Sequence, residues 1–267
     1  MAPRIFSYKT DHFEEVQTNL KDLYGWWEGV AVADVNGDGK MDLILGNIGE
    51  NFYLHPDSAR PVKLWVNDYD QNGNMDNILS RTVDGKDVPV FLKHDMEFQM
   101  PILKKQNLKH GEFAKKSIQE LLPESLIKTS QLKTFNYCAS IVAVNMGNGQ
   151  FMIHKLPAMV QFSSVNAIRC TDLNGDGYPD LILGGNEFGF LPQFGRLDGS
   201  FGDALINDGK GNFSFLSNRE SGLEIRGQVR DIAIIKGENN SRILFLVNDE
   251  YPVLYETKSK VKSKKGR

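Results

Sequence analysis

The sequence has only two cysteines in 267 residues, Cys138 and Cys170. They stand far apart, without the C-x-x-C spacing of a metal or redox site, and read as buried free thiols rather than as a disulfide framework. Long apolar runs are also missing. Nothing approaches the roughly 18 apolar residues of a membrane-spanning helix, and Met1-Ala2-Pro3-Arg4 opens no signal-peptide core. An export signal would therefore have been removed, or would lie on a longer precursor. Familiar catalytic signatures are absent as well. His12, His55, His94, His110 and His154 form no HExxH or paired-metal pattern, and no nucleophile elbow occurs. Carboxylates such as Glu28, Glu50 and Glu187 could act on a glycan, yet no spacing pairs them.

Basic residues are concentrated at one end. The formal charge is −3, and the last ten residues, KSKVKSKKGR, carry six basic groups and no acid, which leaves −9 for the rest. Nine aspartates in three loops equal that whole excess. Acids and bases balance elsewhere, so the sequence shows no footprint of a nucleic-acid partner. Residues 258–267 read as a solvated basic tail able to touch an anionic surface. The hydrophobic content of 40% is enough to bury a sizeable core.

The dominant feature is repetition. AVADVNGDGKMDLILGN at 31–47, LWVNDYDQNGNMDNILS at 64–80 and IRCTDLNGDGYPDLILGGN at 168–186 each join two apolar stretches through a Gly/Asn/Asp cluster. That is a strand, a tight loop and a strand. VAVNMGNGQFMIHKL at 142–156 and ALINDGKGNFSFLSN at 204–218 form a second kind of hairpin, in which Asn-x-Gly-x-Gly supplies turn residues able to adopt φ > 0. Residues 4–16 resemble a weaker version, and 229–249 have the same outline without the aspartates. Alternating hairpins assemble into four-stranded antiparallel blades, so the expected fold is all-β, a partial β-propeller of three to four blades over residues 1–257. The chain is expected to begin in the middle of a blade, with amino-terminal blades missing or a second copy completing the ring. Lys, Glu, Gln and Leu at helical spacing predict a helical insert at about 101–133, two short helices broken near Pro123 and placed between the hairpins of one blade.

The loops carry the chemistry. Counting from the first aspartate, Asp34, Asn36, Asp38, Lys40 and Asp42 occupy positions one, three, five, seven and nine. Asp68, Asp70, Asn72, Asn74 and Asp76 repeat the pattern, as do Asp172, Asn174, Asp176, Tyr178 and Asp180. Hard oxygen donors at alternate positions around a glycine turn suit calcium, and position seven needs only its main-chain carbonyl. Position twelve, the bidentate Glu of an EF-hand, is Leu45, Leu79 and Leu183, so the ninth aspartate must close the shell. A phosphate loop is excluded, because carboxylates repel phosphate and no Gly-Lys-Ser/Thr follows. About three Ca²⁺ sites with a mainly structural role are expected.

This strand–DxNxDGxxD–strand unit resembles the FG-GAP/VCBS repeats of integrin-α-like β-propellers. The ordering of GWWEGVAVADVNGDGKMDLILGNIGEN, PVKLWVNDYDQNGNMDNILS, NMGNGQFMIHKLP and GRLDGSFGDALINDGKGNF is similar to the carboxyl-terminal half of large bacterial proteins of the cartilage acidic protein/UnbV (ASPIC) group. The resemblance covers about residues 5–256. It implies a seven-bladed calcium-binding propeller in an extracellular, cell-surface or periplasmic protein, and it supplies no catalytic residues. Lys236 and Asn240 depart from the repeat, where aspartates would stand.

The expected function is thus a calcium-binding, non-catalytic module that binds a protein or a glycan. A polysaccharide hydrolase or lyase on the same scaffold, and a structural fragment that assembles with another chain, are the alternatives. Trp26 and Trp27, beside Tyr24, are candidate ligand-stacking residues, or else pack between blades. The loop EFGFLPQFGRLDGSFG, with Phe188, Phe190, Phe194 and Arg196, either faces a ligand or is a packed connection.

Overall fold

A computed structural model describes residues 1–101, 103, 109–237 and 240–257. The basic tail at 258–267 and positions 102 and 104–108 of the expected helical insert lie outside the described residues. Each of the three aspartate loops closes an antiparallel hairpin in one register. Ala33 pairs with Asp42, Asn67 with Asp76, and Thr171 with Asp180. The turn glycines at positions four and six make this possible, since Gly37 and Gly39 have φ of 75° and 82° and Gly175 and Gly177 have 76° and 94°. The middle loop places Gln71 at position four with φ 59°, a conformation unfavourable to a side chain.

The strands assemble into several antiparallel sheets, and the fold is all-β and propeller-like, with no closed barrel among the described residues. By Cα proximity the chain divides into two compact units. One contains Arg4–Asn19, Trp27–Tyr53 and the described residues from Cys138 onward. It begins with the hairpin β1 (Ile5–Tyr8) and β2 (Phe13–Val16). Its first blade has β3 (Gly29–Ala33), β4 (Asp42–Gly46), β9 (Ile141–Gly147) and β10 (Gln150–Lys155), side by side in that order. The second is a meander of β11 (Val165–Thr171), β12 (Asp180–Gly185), β13 (Asp203–Asn207) and β14 (Phe213–Leu216). The third sheet has three strands, β15 (Val229–Lys236), β16 (Ser241–Val247) and β17 (Val253–Glu256).

Successive sheets pack face to face. Ile44, Val142, Val165, Ile168, Leu181 and Leu205 fill the space between the first two blades, and Ala167, Ile182, Val229, Ile232 and Phe245 fill that between the second and third. β12 is covered on both faces and is buried at all six positions. That explains why LILGG is continuously apolar or small rather than alternating. Each large aliphatic side chain so buried contributes roughly 1.5–3 kcal/mol.

The other unit contains Met1–Pro3, Leu20–Trp26 and Leu54–Tyr137. In sequence, most of it is inserted between β4 and β9. It departs from the expectation that the middle aspartate loop belongs to a propeller blade. Its sheet consists of β5 (Val62–Asn67), β6 (Asp76–Val83), β7 (Lys86–Pro89) and β8 (Gln131–Phe135) in the order β7-β6-β5-β8, which is no meander. The helical segment carries the chain from β7 back to the free edge of β5. The insert is also longer than the expected 101–133. Helices α1 (Lys93–Gln99), α2 (His110–Phe113), α3 (Ile118–Leu121) and α4 (Glu124–Thr129) precede β8, so residues 131–133 are strand. The break at Pro123 stands, and Pro123 is the residue that precedes α4. Ser117 and Glu120 open α3 as a capping box, with the Ser117 N–H donating to Glu120 Oε2 at 2.7 Å. Met96, Met100, Leu103, Phe113, Ile118 and Leu121 pack against Trp65, Tyr69 and Ile78 of the sheet side. No helix among the described residues is long and apolar enough to cross a membrane.

Both cysteines are free, and burial pushes Cys138 up to about 12 and Cys170 up to about 11, so both thiols stay protonated at neutral pH. Asp203, the first residue of β13, is buried with one hydrogen bond, accepted from Ser200 Oγ at 3.0 Å. Burial raises its pKa to about 6. The folded state therefore favours the protonated acid, and that contribution is complete below about pH 4 and is lost as pH rises through 6. Urea titrations should show stability falling by roughly 2 kcal/mol between pH 4.5 and 7 on this account. Asp203→Asn should flatten that fall, and an identical slope in the variant would exclude Asp203 as its source.

Candidate metal centres

In each loop the first aspartate organises the turn. Asp34 accepts the N–H groups of Gly37 and Asp38 on Oδ1, at 2.8 and 3.2 Å, and that of Gly39 on Oδ2, at 2.8 Å. Asp172 repeats this with Gly175, Asp176 and Gly177. Asp68 accepts from Asn72 and Gly73. Position three accepts the N–H of position five in every copy, through Oδ1 of Asn36 at 3.0 Å, of Asp70 at 3.3 Å and of Asn174 at 2.8 Å. Position five accepts the N–H of position seven, through Asp38, Asn72 and Asp176. Lys40 adds its Nζ to Asp38 Oδ2 at 2.9 Å, and that side-chain hydrogen bond holds the exposed Asp38 carboxyl below its ordinary value.

The ninth aspartates differ in kind. Asp42 and Asp180 are 0% exposed and Asp76 is 2% exposed. Asp42 Oδ2 accepts the Val35 N–H at 2.9 Å and Oδ1 accepts the Asn145 N–H at 2.7 Å. Asp180 Oδ2 accepts from Leu173 at 2.8 Å and Oδ1 from Asn207 at 2.8 Å. Each buried carboxylate thus ties its loop to the third strand of its own blade. Residues 26–59 match the FG-GAP repeat family. That stretch contains the whole first loop. No curated protein matches the chain.

Sequence reasoning missed Asn145 and Asn207. Both are the leading Asn of the Asn-x-Gly-x-Gly hairpins, and their side chains donate to Met41 O at 3.1 Å and Pro179 O at 3.1 Å, one residue before the ninth aspartate. Their shared place in the two hairpins was the available signal. Gln99 was also missed, and nothing local announces it. In the middle loop Gln99 Nε2 of α1 stands where a blade supplies its third strand, 3.4 Å from Asp76 Oδ1. Burial raises the Asp76 pKa, with Asp70 and Asp68 adding to the rise and the Tyr69 N–H opposing it.

Two features suit a hard cation, one in the middle loop and one in the other two. Asp68, Asp70 and Asp76 bring one carboxylate oxygen each to within 4.8 Å of one another. Among the described residues, no basic side chain pairs with Asp42 or Asp180, so these buried charges are balanced only by amide dipoles. A buried carboxylate without a counter-charge is costly, and a cation in the loop would offset that cost. Asp34, Asn36, Asp38, Asp42 and the Lys40 carbonyl would hold the first ion. The corresponding residues of the other two loops would hold theirs.

The candidate stacking residues lie elsewhere. Trp26 stacks on Phe135 with centroids 4.0 Å apart and rings 8° from parallel, while Trp27 is half-buried. The aromatic loop packs on its own unit. Phe194 stacks on Tyr53 at 4.3 Å, Phe190 meets Phe52 at 5.4 Å, and Arg196 lies over Phe188 at 5.1 Å. A cleft of about 530 Å³ between the second and third sheets presents Arg219, Glu220 and Glu256. The Glu220 carboxylate there is engaged by Ser217, whose Oγ and N–H donate to it at 2.6 and 3.0 Å.

Proposed function

We propose that the chain is a calcium-stabilised, non-catalytic propeller-type module that binds a protein or glycan partner outside the cell, at its surface or in the periplasm. The observation that carries this reading is the threefold recurrence of one loop whose ninth aspartate is buried, with no basic side chain paired to it among the described residues. Bound Ca²⁺ supplies positive charge to hold the first, third, fifth and ninth side chains together. The chain itself supplies the turn glycines and the amides that aim the carboxylates. Exposed oxygen-rich loops of this type suit the weak affinities of extracellular calcium modules, about 10⁻⁴ to 10⁻³ M. The hairpin order that resembles the cartilage acidic protein/UnbV group supports the same location.

Calcium should raise the thermal midpoint, and a chelator should lower it. At a hundred times Kd the gain for one site is about 2.7 kcal/mol, which in a chain of this size is a shift of about 5–10 °C. Asp38→Ala or Asp176→Ala should remove part of it. A midpoint indifferent to calcium would overturn the assignment.

The non-catalytic part rests on the engagement of both cleft carboxylates, Glu220 by Ser217 and Glu256 by Arg242 at 3.6 Å, and on the scattered histidines. A glycan array run beside a polysaccharide hydrolysis screen separates binding from catalysis. Binding without product is the expected result, and turnover would replace this reading with a polysaccharide-active enzyme.

A further inference from the structure

One buried amide joins the two aspartate loops of the propeller-like unit. Asn207 ends β13 and is 2% exposed. Its main-chain N–H donates to Asp180 Oδ1 at 2.8 Å. Its side-chain Nδ2 donates to Pro179 O at 3.1 Å and also reaches the neighbouring blade, to Val35 O at 2.8 Å. Its Oδ1 accepts from the Gly209 N–H at 3.0 Å, which fixes the orientation of the amide. Val35 is the second residue of the first loop, and its own N–H donates to Asp42 Oδ2 at 2.9 Å. An unbroken path therefore runs from Asp42 through Val35 and Asn207 to Asp180.

A second contact runs beside it. Tyr178, at position seven of the later loop, lies over both turns. A Cβ built on Gly37 of the first loop would stand 3.4 Å from its ring, and one on Gly209 would stand 2.7 Å away. Asn145 holds the equivalent hairpin position in the first blade, and its Nδ2 donates to Met41 O as Asn207 does to Pro179 O, but among the described residues it makes no second donation to another blade. The crossing between blades thus belongs to Asn207.

We propose that Asn207 is a positioning residue that couples the two loops, so that a divalent cation held at one raises the affinity of the other. This rests on the calcium reading above. The physical cause is shared ordering. A cation that fixes Asp180 fixes the end of β13, and with it the carbonyl of Val35 and the donor to Asp42. The second ion then meets a loop already ordered.

The test is a calcium titration of the full chain followed by amide NMR. Gly39 and Gly177 donate to the first aspartate of their own loops and report each loop separately. In the native chain the two amides should titrate together. Asp38→Ala disables the first loop and should move the Gly177 midpoint to about fivefold higher calcium. In an Asn207→Ala background the same change should leave the Gly177 midpoint in place, whereas in Asn145→Ala it should still move it. Asn207→Ser, too short to reach Val35, serves if the alanine variant does not fold. Electrostatic repulsion between loops is the same in both backgrounds, so the comparison removes it. A Gly177 midpoint unmoved by Asp38→Ala, or moved equally with and without Asn207, overturns the coupling while leaving calcium binding intact. Amides that ignore calcium altogether overturn both.

Discussion

A single methyl group at Gly46 is expected to destabilise the propeller-like unit by at least about 3 kcal/mol, seen as a lower urea midpoint at unchanged slope. Gly46 ends β4, and a Cβ there would lie 2.1 Å from the carbonyl oxygen of Val165, where the next blade begins. The obstacle is backbone, held in place by the Val165 N–H bond to Asn47 O at 2.9 Å. Gly184 occupies the matching place one blade later, but its Cβ would meet the Val229 side chain, 2.4 Å from Cγ1. Val229→Ala should therefore relieve Gly184→Ala in part, while Val165→Ala should not relieve Gly46→Ala. A Gly46→Ala variant of native stability would show that the blades do not approach this closely.

Asp180→Ala should cost about 1–3 kcal/mol even in excess chelator. The carboxylate accepts from the N–H groups of Leu173, Asn174 and Asn207, at 2.8, 3.3 and 2.8 Å, and its removal takes the acceptor from the buried Asn207 N–H and from two partly buried donors. Asp176, on the exposed side of the same loop, should lose stability only when calcium is present. Urea unfolding of both variants with calcium and with chelator separates the two roles. Equal stability of Asp180→Ala and the native chain in chelator would confine Asp180 to ion binding.

The same residues show where the sequence was sufficient. Every hairpin expected from it is a hairpin in the structure, because alternation, turn glycines and the spacing from Ala33 to Asp42 are local properties. The aspartate ladder was legible for that reason as well. The helical segment was legible only in part. Lys93–Gln99 is a seven-residue helix whose buried residues, Lys93 and Met96, give little periodicity to detect. The sheet order β7-β6-β5-β8 was not legible at all, since an identical hairpin can pair its outer edge with either neighbour.

Taken alone, the order of residues determined the all-β class, the three loops and the oxygen donors each presents. All of these depend on contacts within about fifteen residues. Tertiary structure alone decided that the middle copy sits in a separate sheet, that the ninth aspartates are buried, and that Asn145, Asn207 and Gln99 meet the loops. Those outcomes join residues far apart in the chain, such as Asp42 with Asn145 and Val35 with Asn207. Local propensity carries no information about such pairings, because they arise only when elements distant in the chain meet, within one blade or between two.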